Sequence, residues 1–533
     1  MRTPTKRIIG IVLIMMIAMG IGSLFGAYAQ DRELIVCQAG DVAVLDNQQS
    51  TGPAKNTLIN IYDWQWLRFA VEEGDDGTLA STRELLPGIV SDWSSVTHAD
   101  GTATFTFHFR EGEIFHSGNP ITAEDFKFTM MRRAAFGRDY IHRFLGAMYT
   151  YEDLDERIRV IDDYTLEVDT TQPMPLFWDI WNQRTYFDSV LVRANATDDD
   201  PWAKDYVAKN DCGSGPYVLD VWVPGVEVQI SRFDDYWGEA PYFDRIIWRI
   251  IPDLSSRILL LKSGVVDIAF DIPMKEAVEL QTDPNLQVIS GPSGNQLSIQ
   301  LNANIEPFDN EDLRWALTYA FPYDDIVPSI YLGNAQPNYG PIPTGFVGAL
   351  TERRFSTDLA LAQEYLEKAG YADGLTLTLS YQVGFPQHEQ IGILFADNLK
   401  QIGVDLELQQ LPSGQFQTGT KEQSLGMILA ETLGWVQTAE YYFNLNFNSD
   451  SSANYNGYGN PDVDALIFPA LSEVDDVIRA DMNSQMQELV LSDAAWIYIC
   501  QPNFVLAMRG DLDGYVVQNT ELHHLWLLSR GGS

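Results

Sequence analysis

The sequence predicts an α/β protein built from at least two lobes. Its 533 residues exceed what a single hydrophobic core usually serves, so the chain should divide into two or three compact units. The clearest local pattern covers residues 375–408, where alternating leucines are followed by a helical stripe, by Gly403 and by a second alternating stretch. Strand, helix and strand in this order predict a right-handed βαβ unit in a parallel sheet.

The N-terminal 29 residues have the layout of a secretory signal peptide. Three basic residues precede an apolar run at residues 8–29, which ends in the small-residue site Ala27-Tyr28-Ala29. We therefore expect cleavage after Ala29 and secretion across the cytoplasmic membrane, to the periplasm or the cell surface. The run is also long enough to span a bilayer, so an uncleaved anchor is the alternative.

Composition and charge restrict the possible partners. The formal net charge of −40 opposes binding to nucleic acid and to anionic membranes. The sequence contains no Walker A, GxSxG or HExxH pattern, and no Cys/His spacing typical of a metal site, so we expect neither metal nor cofactor. Cys37, Cys212 and Cys500 lie in or beside apolar runs, so one disulfide and three buried thiols are both open.

Residues 93–132 combine a strand, a turn and a helix start. Three phenylalanines alternate with polar residues from Phe105 to Phe109, which is the period of a strand with one buried face. His116 lies in the following turn, where we expect a hydrogen-bonded side chain rather than a metal ligand. Thr122 starts a Thr-x-x-acid pattern, in which its hydroxyl should cap an early helix amide.

This segment resembles the signature of family 5 extracytoplasmic solute-binding proteins, the peptide and nickel binders of ABC importers. The pattern F-x-L-R-x-G-x-x-F-H-x-G-x-P-x-T-A-E-D-x-x-F is met at residues 107–128, with Phe109 in place of the leucine. The resemblance extends over nearly the whole chain after residue 29. Further blocks in family order are the GTGPY-like residues 211–217, the DYWG-like residues 235–238, residues 307–320 and the proline-rich loop 339–343.

The resemblance implies a two-lobed periplasmic-binding-protein-like fold of the large, three-subdomain type, with a hinge and a ligand cleft between the lobes. Both strands predicted near the C-terminus, at residues 496–500 and 504–508, are assigned to a return into the first lobe. The implied divisions are lobe I at residues 30–290 with an inserted subdomain at roughly 68–210, lobe II at residues 291–499, the C-terminal return at 500–533, and hinges at 291–296 and 500–504.

The implied function is capture of a solute by a monomeric, non-enzymatic protein, which delivers it to a permease and an ATPase on separate chains. Peptide is the family's usual solute, so a peptide ligand stands first and an oligosaccharide or other neutral polar solute second. A secreted glycoside hydrolase is the enzymatic alternative, because its two carboxylates are easily found among 74 acidic residues. The sequence singles out no such pair.

Residues 427–461 carry the sharpest information about the ligand. In peptide-binding members, the resemblance implies a Gly-Trp pair followed by an acidic motif, from which an Asp holds the peptide amino group. Gly434, Trp435 and Phe443 are kept here, but Glu440 is the only acidic residue between Trp435 and Phe443. This departure favours a neutral solute, because a buried ammonium without a carboxylate is costly.

Aromatic residues complete the candidate site. Tyr62, Trp64 and Trp66 have a spacing of two, which on a strand places their rings on one face, and solute pockets are largely aromatic. The candidate ligand-binding residues are Tyr62, Trp64, Trp66, Tyr339, Thr432, Gly434, Trp435, Glu440 and Tyr441.

Overall fold

The structure, a computed structural model, describes residues 32–531 except 43, 50–53, 63–65, 75–77, 137–150, 182–184, 292, 434, 435, 437, 452, 519 and 520. The predicted signal peptide lies outside these described residues. Within them, no helix combines the length and the apolar character needed to cross a membrane.

The described residues contain 22 strands and 16 α-helices, here numbered along the chain. The strands are β1 (Glu33–Gln38), β2 (Leu67–Glu73), β3 (Leu79–Pro87), β4 (Val90–Thr97), β5 (Ala103–Phe109), β6 (Ile158–Asp162), β7 (Thr165–Asp169), β8 (Tyr217–Val223), β9 (Glu227–Arg232), β10 (Arg245–Ile250), β11 (Ile268–Ala269), β12 (Leu286–Gly291), β13 (Asn295–Leu301), β14 (Ala335–Pro337), β15 (Leu375–Gln382), β16 (Val404–Leu411), β17 (Met427–Leu433), β18 (Trp496–Pro502), β19 (Phe504–Arg509), β20 (Leu512–Asp513), β21 (Val516–Val517) and β22 (Ser529–Arg530). The helices are α1 (Ala54–Ile61), α2 (Ala123–Phe136), α3 (Tyr151–Arg157), α4 (Phe177–Trp181), α5 (Ser189–Ala194), α6 (Lys204–Val207), α7 (Leu254–Lys262), α8 (Met274–Leu280), α9 (Glu311–Ala320), α10 (Tyr323–Ser329), α11 (Leu359–Lys368), α12 (Pro386–Gln401), α13 (Ser413–Lys421), α14 (Ala439–Asn446), α15 (Pro461–Ser472) and α16 (Asp476–Ser492).

The first lobe is built on a seven-stranded sheet in the order β12-β19-β11-β1-β10-β9-β8. Strand β1 pairs in parallel with β10 and β11, whereas β12 and β19 pair antiparallel. The Pro224-Gly225 pair between two strand-like runs predicts a hairpin, and β8 and β9 do pair antiparallel around it, with Gly225 at a φ of +74°. The sheet joins the first described strand to a late one, so both ends of the chain build this lobe.

The second lobe is built on a six-stranded sheet in the order β14-β18-β13-β17-β15-β16. The predicted βαβ unit is confirmed: β15 and β16 are parallel, with Leu375 opposite Val404 and Gln382 opposite Leu411, and α12 connects them. The buried face of α12 includes Phe395, which packs into the core of this lobe. The alternating leucines were a reliable signal because every second position faces that core.

A four-stranded antiparallel sheet, β4-β5-β7-β6, forms an insert between β1 and the hairpin of the first lobe. The strand predicted from Phe105 to Phe109 is confirmed as β5, and all three phenylalanines are buried. They pack with rings from α2 and α4, among them Phe126 and Trp181. In a small sheet of order β2-β3-β21, the C-terminal strand β21 pairs in parallel with β3, which precedes the insert.

The Thr122 side chain caps α2 as a hydrogen-bond donor, whereas the sequence predicts it as an acceptor. The Thr122 hydroxyl donates to Asp125 Oδ2 at 2.9 Å, and the Thr122 backbone N–H donates to the same oxygen at 2.8 Å. The side chain three residues into the pattern therefore reaches back to the cap residue, which is one half of a capping box. The prediction that the Thr122 hydroxyl accepts a hydrogen bond from a helix amide is therefore wrong.

His116 links the insert to the first lobe, as a hydrogen-bonded turn residue. Its side chain is 4% exposed, and Nδ1 lies 2.9 Å from Asp211 Oδ2 while Nε2 lies 2.9 Å from the carbonyl oxygen of Gly215. Both ring nitrogens thus face acceptors, which a doubly protonated imidazolium satisfies. Burial disfavours that charge, but the attraction of Asp211 and the two hydrogen bonds outweigh it and raise the pKa of His116.

The three cysteines are free and buried, which decides between the two readings that the sequence left open. Burial raises the pKa of the Cys37 thiol to about 12. Because the thiolate is the reactive form, these side chains act as small apolar groups rather than as nucleophiles.

Candidate functional site

Two short crossovers join the lobes, one between β12 and β13 and one at Asn503 between β18 and β19. They are bonded to one another, since Ser293 Oγ donates to the carbonyl oxygen of Pro502 at 2.6 Å and Asn503 Nδ2 donates to Ser290 Oγ at 3.1 Å. Strand β18 belongs to the second sheet and only β19 returns to the first. The assignment of residues 496–500 to the first lobe is therefore wrong, because β18 pairs with β13 and β14.

Strand β13 presents polar side chains on one face, beginning next to the first crossover. Gln296, Ser298 and Gln300 are buried and alternate with three apolar residues that lie in the core of the second lobe. Thr432 of β17 stands directly opposite Gln296 in the register. Opposed side chains on neighbouring strands share a face, so Gln296 and Thr432 form a polar pair at the interlobe edge of the sheet.

Gln296 and a second buried amide, Asn338, have side-chain atoms that make no hydrogen bond to the described residues. Gln296 Nε2 donates to the carbonyl oxygen of Gly340 at 2.9 Å, while its Oε1 has no partner among the described residues. Asn338 is 0% exposed, yet neither Oδ1 nor Nδ2 is bonded to any described residue. A buried amide that makes no hydrogen bond is costly, so water or a ligand normally satisfies such groups.

Helix α14 begins at the same edge. Thr438 is its N-cap residue but makes no side-chain cap bond, and its buried Oγ1 has no partner in the described part of the chain. The hydroxyl of Tyr442, one turn into the helix, donates to the carbonyl oxygen of Gly294 at 2.9 Å. This bond fixes the start of α14 against the first crossover.

The Glu440 carboxylate faces the interior of the second lobe. Glu440 is 3% exposed. Its Oε1 accepts a hydrogen bond from Asn483 Nδ2 at 2.6 Å and lies 3.4 Å from Arg479 Nε. Both partners belong to α16, so Glu440 holds α14 against α16. A ligand ammonium would have to compete with Arg479 for this carboxylate.

The insert and the second lobe touch each other. One continuous hydrophobic cluster contains Trp181 and Tyr186 from the insert and Val436, Tyr441 and Tyr442 from the second lobe. Because such a cluster is defined by side-chain contact, the insert and the second lobe are parts of one packed cluster that includes residues at the start of α14.

Of the three rings predicted to share one strand face, the two that the structure describes, Tyr62 and Trp66, lie in different cores. Tyr62 directly follows α1 and Trp66 stands just before β2, while Trp64 lies outside the described residues. Tyr62 is buried in the core of the first lobe and Trp66 in the core of the insert. The predicted stacking face is therefore wrong, because a helix end rather than a strand carries the first of these rings.

The remaining predicted ligand residues are Tyr339, Thr432, Gly434, Trp435 and Tyr441. Tyr339 and Thr432 are half-buried, and Tyr441 is fully buried. Gly434 and Trp435 lie outside the described residues.

Sequence reasoning missed Gln296, Asn338 and Thr438 as members of the site. A signal was available for two of them, because Gln296 closes the predicted first hinge and Asn338 immediately precedes the proline-rich loop. Polar residues at such turning points are candidates for ligand contact.

Metal chemistry has no support in the described part of the chain, where no group of three or more His, Cys, Asp and Glu side chains could hold a metal ion. The adjacent His523 and His524 are both buried, and their Nδ1 atoms contact the Tyr515 hydroxyl and the Gln518 amide respectively. The two rings therefore have separate partners.

Two α/β lobes joined by paired crossovers, with unsatisfied polar groups beside those links, define a two-lobed solute-binding protein. The family model for bacterial extracellular solute-binding proteins, family 5 (middle), matches residues 84–454. The chain belongs to this family. It is therefore the extracytoplasmic binding component of an ABC importer and not an enzyme, which removes the glycoside hydrolase alternative.

Individual relatives agree with this assignment. The probable D,D-dipeptide-binding periplasmic protein DdpA of Escherichia coli K12 is 27% identical over 452 residues, 84% of either chain. The glutathione-binding protein GsiB of Salmonella typhimurium is 26% identical over 429 residues, 79% of this chain and 81% of its own. The periplasmic binding protein DppA of Helicobacter pylori, solved with the peptide STSA, shares the fold with a TM-score of 0.80, 22% identity and coverage of 95% and 100%.

Proposed function

We propose that this protein captures a peptide-like solute between its lobes, acts as a monomer, and hands the solute to a permease driven by an ATPase on a separate chain. The observation that carries the proposal is the set of buried, unsatisfied amide and hydroxyl groups at the interlobe edge, formed by Gln296, Asn338 and Thr438. These groups match the alternating N–H and C=O groups of a peptide backbone.

The relatives support the same solute class. DdpA is named for a D,D-dipeptide and GsiB for glutathione, and the DppA structure holds a tetrapeptide. In this chain, Asn338 Nδ2 would donate to a solute carbonyl while Asn338 Oδ1 accepts from a solute N–H. Gln296 Oε1 would accept a further N–H, because its own Nε2 is held by Gly340.

An oligosaccharide or other neutral polar solute is the second candidate, and Glu440 favours it. Its carboxylate is engaged by Arg479 and Asn483, so it is not a ready partner for a terminal ammonium. A peptide bound here would then be recognised by its backbone more than by its amino end.

Calorimetric titration tests the proposal. We expect heat of binding with di- to pentapeptides and none with an oligosaccharide panel, and an N-acetylated peptide should bind within about threefold of the free peptide, less than 1 kcal/mol. Heat from oligosaccharides alone would replace the peptide proposal by the second candidate. A complete loss of binding on N-acetylation would overturn the argument from Glu440.

The substitution Asn338→Leu tests the site directly. It replaces two hydrogen-bonding atoms with methyl groups on the same branched skeleton, so peptide affinity should fall by about tenfold, or 1.4 kcal/mol, while thermal stability is largely kept. Asn456→Leu is the matched control, since Asn456 is also buried with an unbonded amide among the described residues but lies beside Leu301, at the far end of β13. Equal losses in both variants would argue against an interlobe role for Asn338.

A further inference from the structure

Glu431 and His388 bring a carboxylate and an imidazole together at one end of the second lobe's sheet. Glu431 lies close to the end of β17, where it stands opposite Leu297 of β13, and β13 begins directly after the first crossover. His388 lies in the first turn of α12, which follows the end of β15. Because β15 and β17 are parallel, both strands end at the same edge, and α/β sheets bind ligands beyond such strand ends.

The two side chains approach each other without forming a hydrogen bond. His388 Nε2 lies 3.7 Å from Glu431 Oε1, which is beyond hydrogen-bond distance. His388 is 3% exposed, and neither of its ring nitrogens has a hydrogen-bond partner among the described residues. Its ring is held by stacking on Phe385, with centroids 4.8 Å apart. Water or a ligand normally satisfies a buried imidazole of this kind.

The charge of Glu431 has no Arg or Lys partner in the described part of the chain. Its side chain is 25% exposed, so the carboxylate is accessible. Burial raises the pKa of the Cys500 thiol, Glu431 adds to the rise and Arg353 opposes it, so both charges act in this region. Arg353 is engaged elsewhere, because its Nη1 lies 3.3 Å from Asp324 Oδ1 and its guanidinium lies over the Tyr323 ring at 4.3 Å.

Two adjacent acceptors suit an organic cation that carries several N–H groups. An ionised carboxylate only accepts hydrogen bonds, a neutral imidazole offers one acceptor nitrogen, and an ammonium group has three donors and no acceptor. A metal ion fits less well, because no group of three or more His, Cys, Asp and Glu side chains within the described ranges could hold one. The net charge of −40 also attracts cations over long range.

We propose that Glu431 and His388 select solutes with a basic side chain, so that the preferred peptides contain lysine or arginine. The inference rests on the proposed function, because it adds a subsite to the same interlobe site. The side-chain ammonium would donate to Glu431 Oε1 and to His388 Nε2. The amino end of the peptide is not involved, which agrees with the engagement of Glu440 by Arg479.

Calorimetric titration with matched N-acetylated tripeptides tests the subsite. Lysine is placed at each position of an alanine tripeptide in turn and compared with the uncharged norleucine, so the side chain carries the only ammonium. At one position or more, the lysine peptide should bind at least about tenfold more tightly, since hydrogen bonds to charged groups are the strong ones. Equal affinity at every position would overturn this inference and leave the proposed function standing. Heat from none of the peptides would overturn the proposed function and this inference with it.

Substitutions at Glu431 assign the preference to this carboxylate. Glu431→Gln should reduce the preference for lysine over norleucine to within about threefold, and retained binding of the norleucine peptide shows that the variant is folded. Glu431→Lys should transfer the preference to the glutamate peptide, an effect that misfolding cannot imitate. Glu389→Gln is the matched control, because Glu389 is exposed and follows His388 directly in the chain, and it should keep the lysine preference. A preference for lysine that survives Glu431→Gln would overturn the assignment.

Discussion

At the scale of single residues, the buried pair His116–Asp211 gives the protein a defined dependence on pH. Asp211 also accepts the backbone N–H groups of Gly213 and Leu219, at 2.8 and 3.0 Å. Burial disfavours its charge, but the attraction of His116 and these bonds prevail and lower the pKa of Asp211. The turn of the family signature, the GTGPY-like turn and the start of β8 are thus held by one ion pair.

The sign of the pH dependence follows from the two shifts. The raised pKa of His116 contributes stability that is complete below the unfolded value of about 6.5 and is lost as pH rises through the folded pKa. The lowered pKa of Asp211 contributes stability that is present above about 3.9 and is lost as pH falls through its folded pKa. Both contributions are present together between about pH 4 and 6.5.

We therefore predict that His116→Gln lowers the free energy of unfolding most in mildly acidic solution. At about pH 5.5 the loss should be roughly 3 kcal/mol, the cost of breaking a buried ion pair, and it should shrink toward about pH 9. Urea unfolding at both pH values measures the difference. His98→Gln is the control, because His98 is exposed and its ring contacts the Thr104 hydroxyl at 3.0 Å, and it should change stability by less than about 0.5 kcal/mol. A loss that grows with pH would contradict the assigned charge state.

Glu440 illustrates why a residue's role is harder to predict than its element. It is the only acidic residue between Trp435 and Phe443, the stretch where the family resemblance implies a ligand carboxylate. Its partners Arg479 and Asn483 lie about forty positions further along the chain, and no local pattern foretells such a pairing. The interpretation moves from ligand contact to the packing of α14 on α16.

At the scale of elements, prediction worked where a short pattern by itself decides the structure. The βαβ unit at β15, α12 and β16, the strand β5 and the hairpin of β8 and β9 were all readable, because alternation and glycine placement act within a few residues. The prediction that Tyr62 and Trp66 share a strand face was wrong, because a pattern this short does not by itself decide the structure. A spacing of two fits a strand, but it does not exclude that the first ring directly follows a helix, as Tyr62 does.

The grouping of Gln296, Asn338 and Thr438 could not be predicted in this way. These residues belong to β13, to the segment after β14 and to the cap of α14, and they converge only because β13 pairs with both β17 and β18. Sheet order is a long-range property, and one sequence without its fold does not specify it. The two crossovers are an exception, since Gly291 and the break after Cys500 are visible as local features.

The crossover also sets a close-packing requirement that can be measured. A Cβ at Gly291 would lie 2.5 Å from Val517 Cγ1 and 2.9 Å from Phe504 Cε1, so Gly291→Ala should destabilise the protein by about 1–3 kcal/mol, the usual cost of overpacking. Gly414→Ala is the matched substitution, because a Cβ there meets nothing within 4 Å and alanine is favoured in a helix by up to about 1 kcal/mol. Thermal unfolding of both variants measures the contrast. Equal stability of the two variants would mean that Val517 and Phe504 move without measurable cost to accommodate the added methyl group.

At the scale of the whole molecule, the insert and the second lobe share one hydrophobic cluster, which is the arrangement expected when two lobes are closed. Trp181 and Tyr186 belong to the same cluster as Tyr441 and Tyr442. A binding protein of this kind works by differential affinity, because only a solute that prefers the closed state can hold it closed. Unsatisfied buried amides make the closed state costly when no solute is present, so the free protein should open.

Small-angle X-ray scattering measures this opening directly. We predict that the protein without solute has a larger radius of gyration than the closed structure, and that a saturating tripeptide reduces it to the closed value, because a solute that contacts both lobes favours the closed state. Asn338→Leu should require about ten times more tripeptide for the same change. A radius of gyration that is already at the closed value without solute, and that tripeptide leaves unchanged, would mean that the polar groups at the crossovers do not control closure.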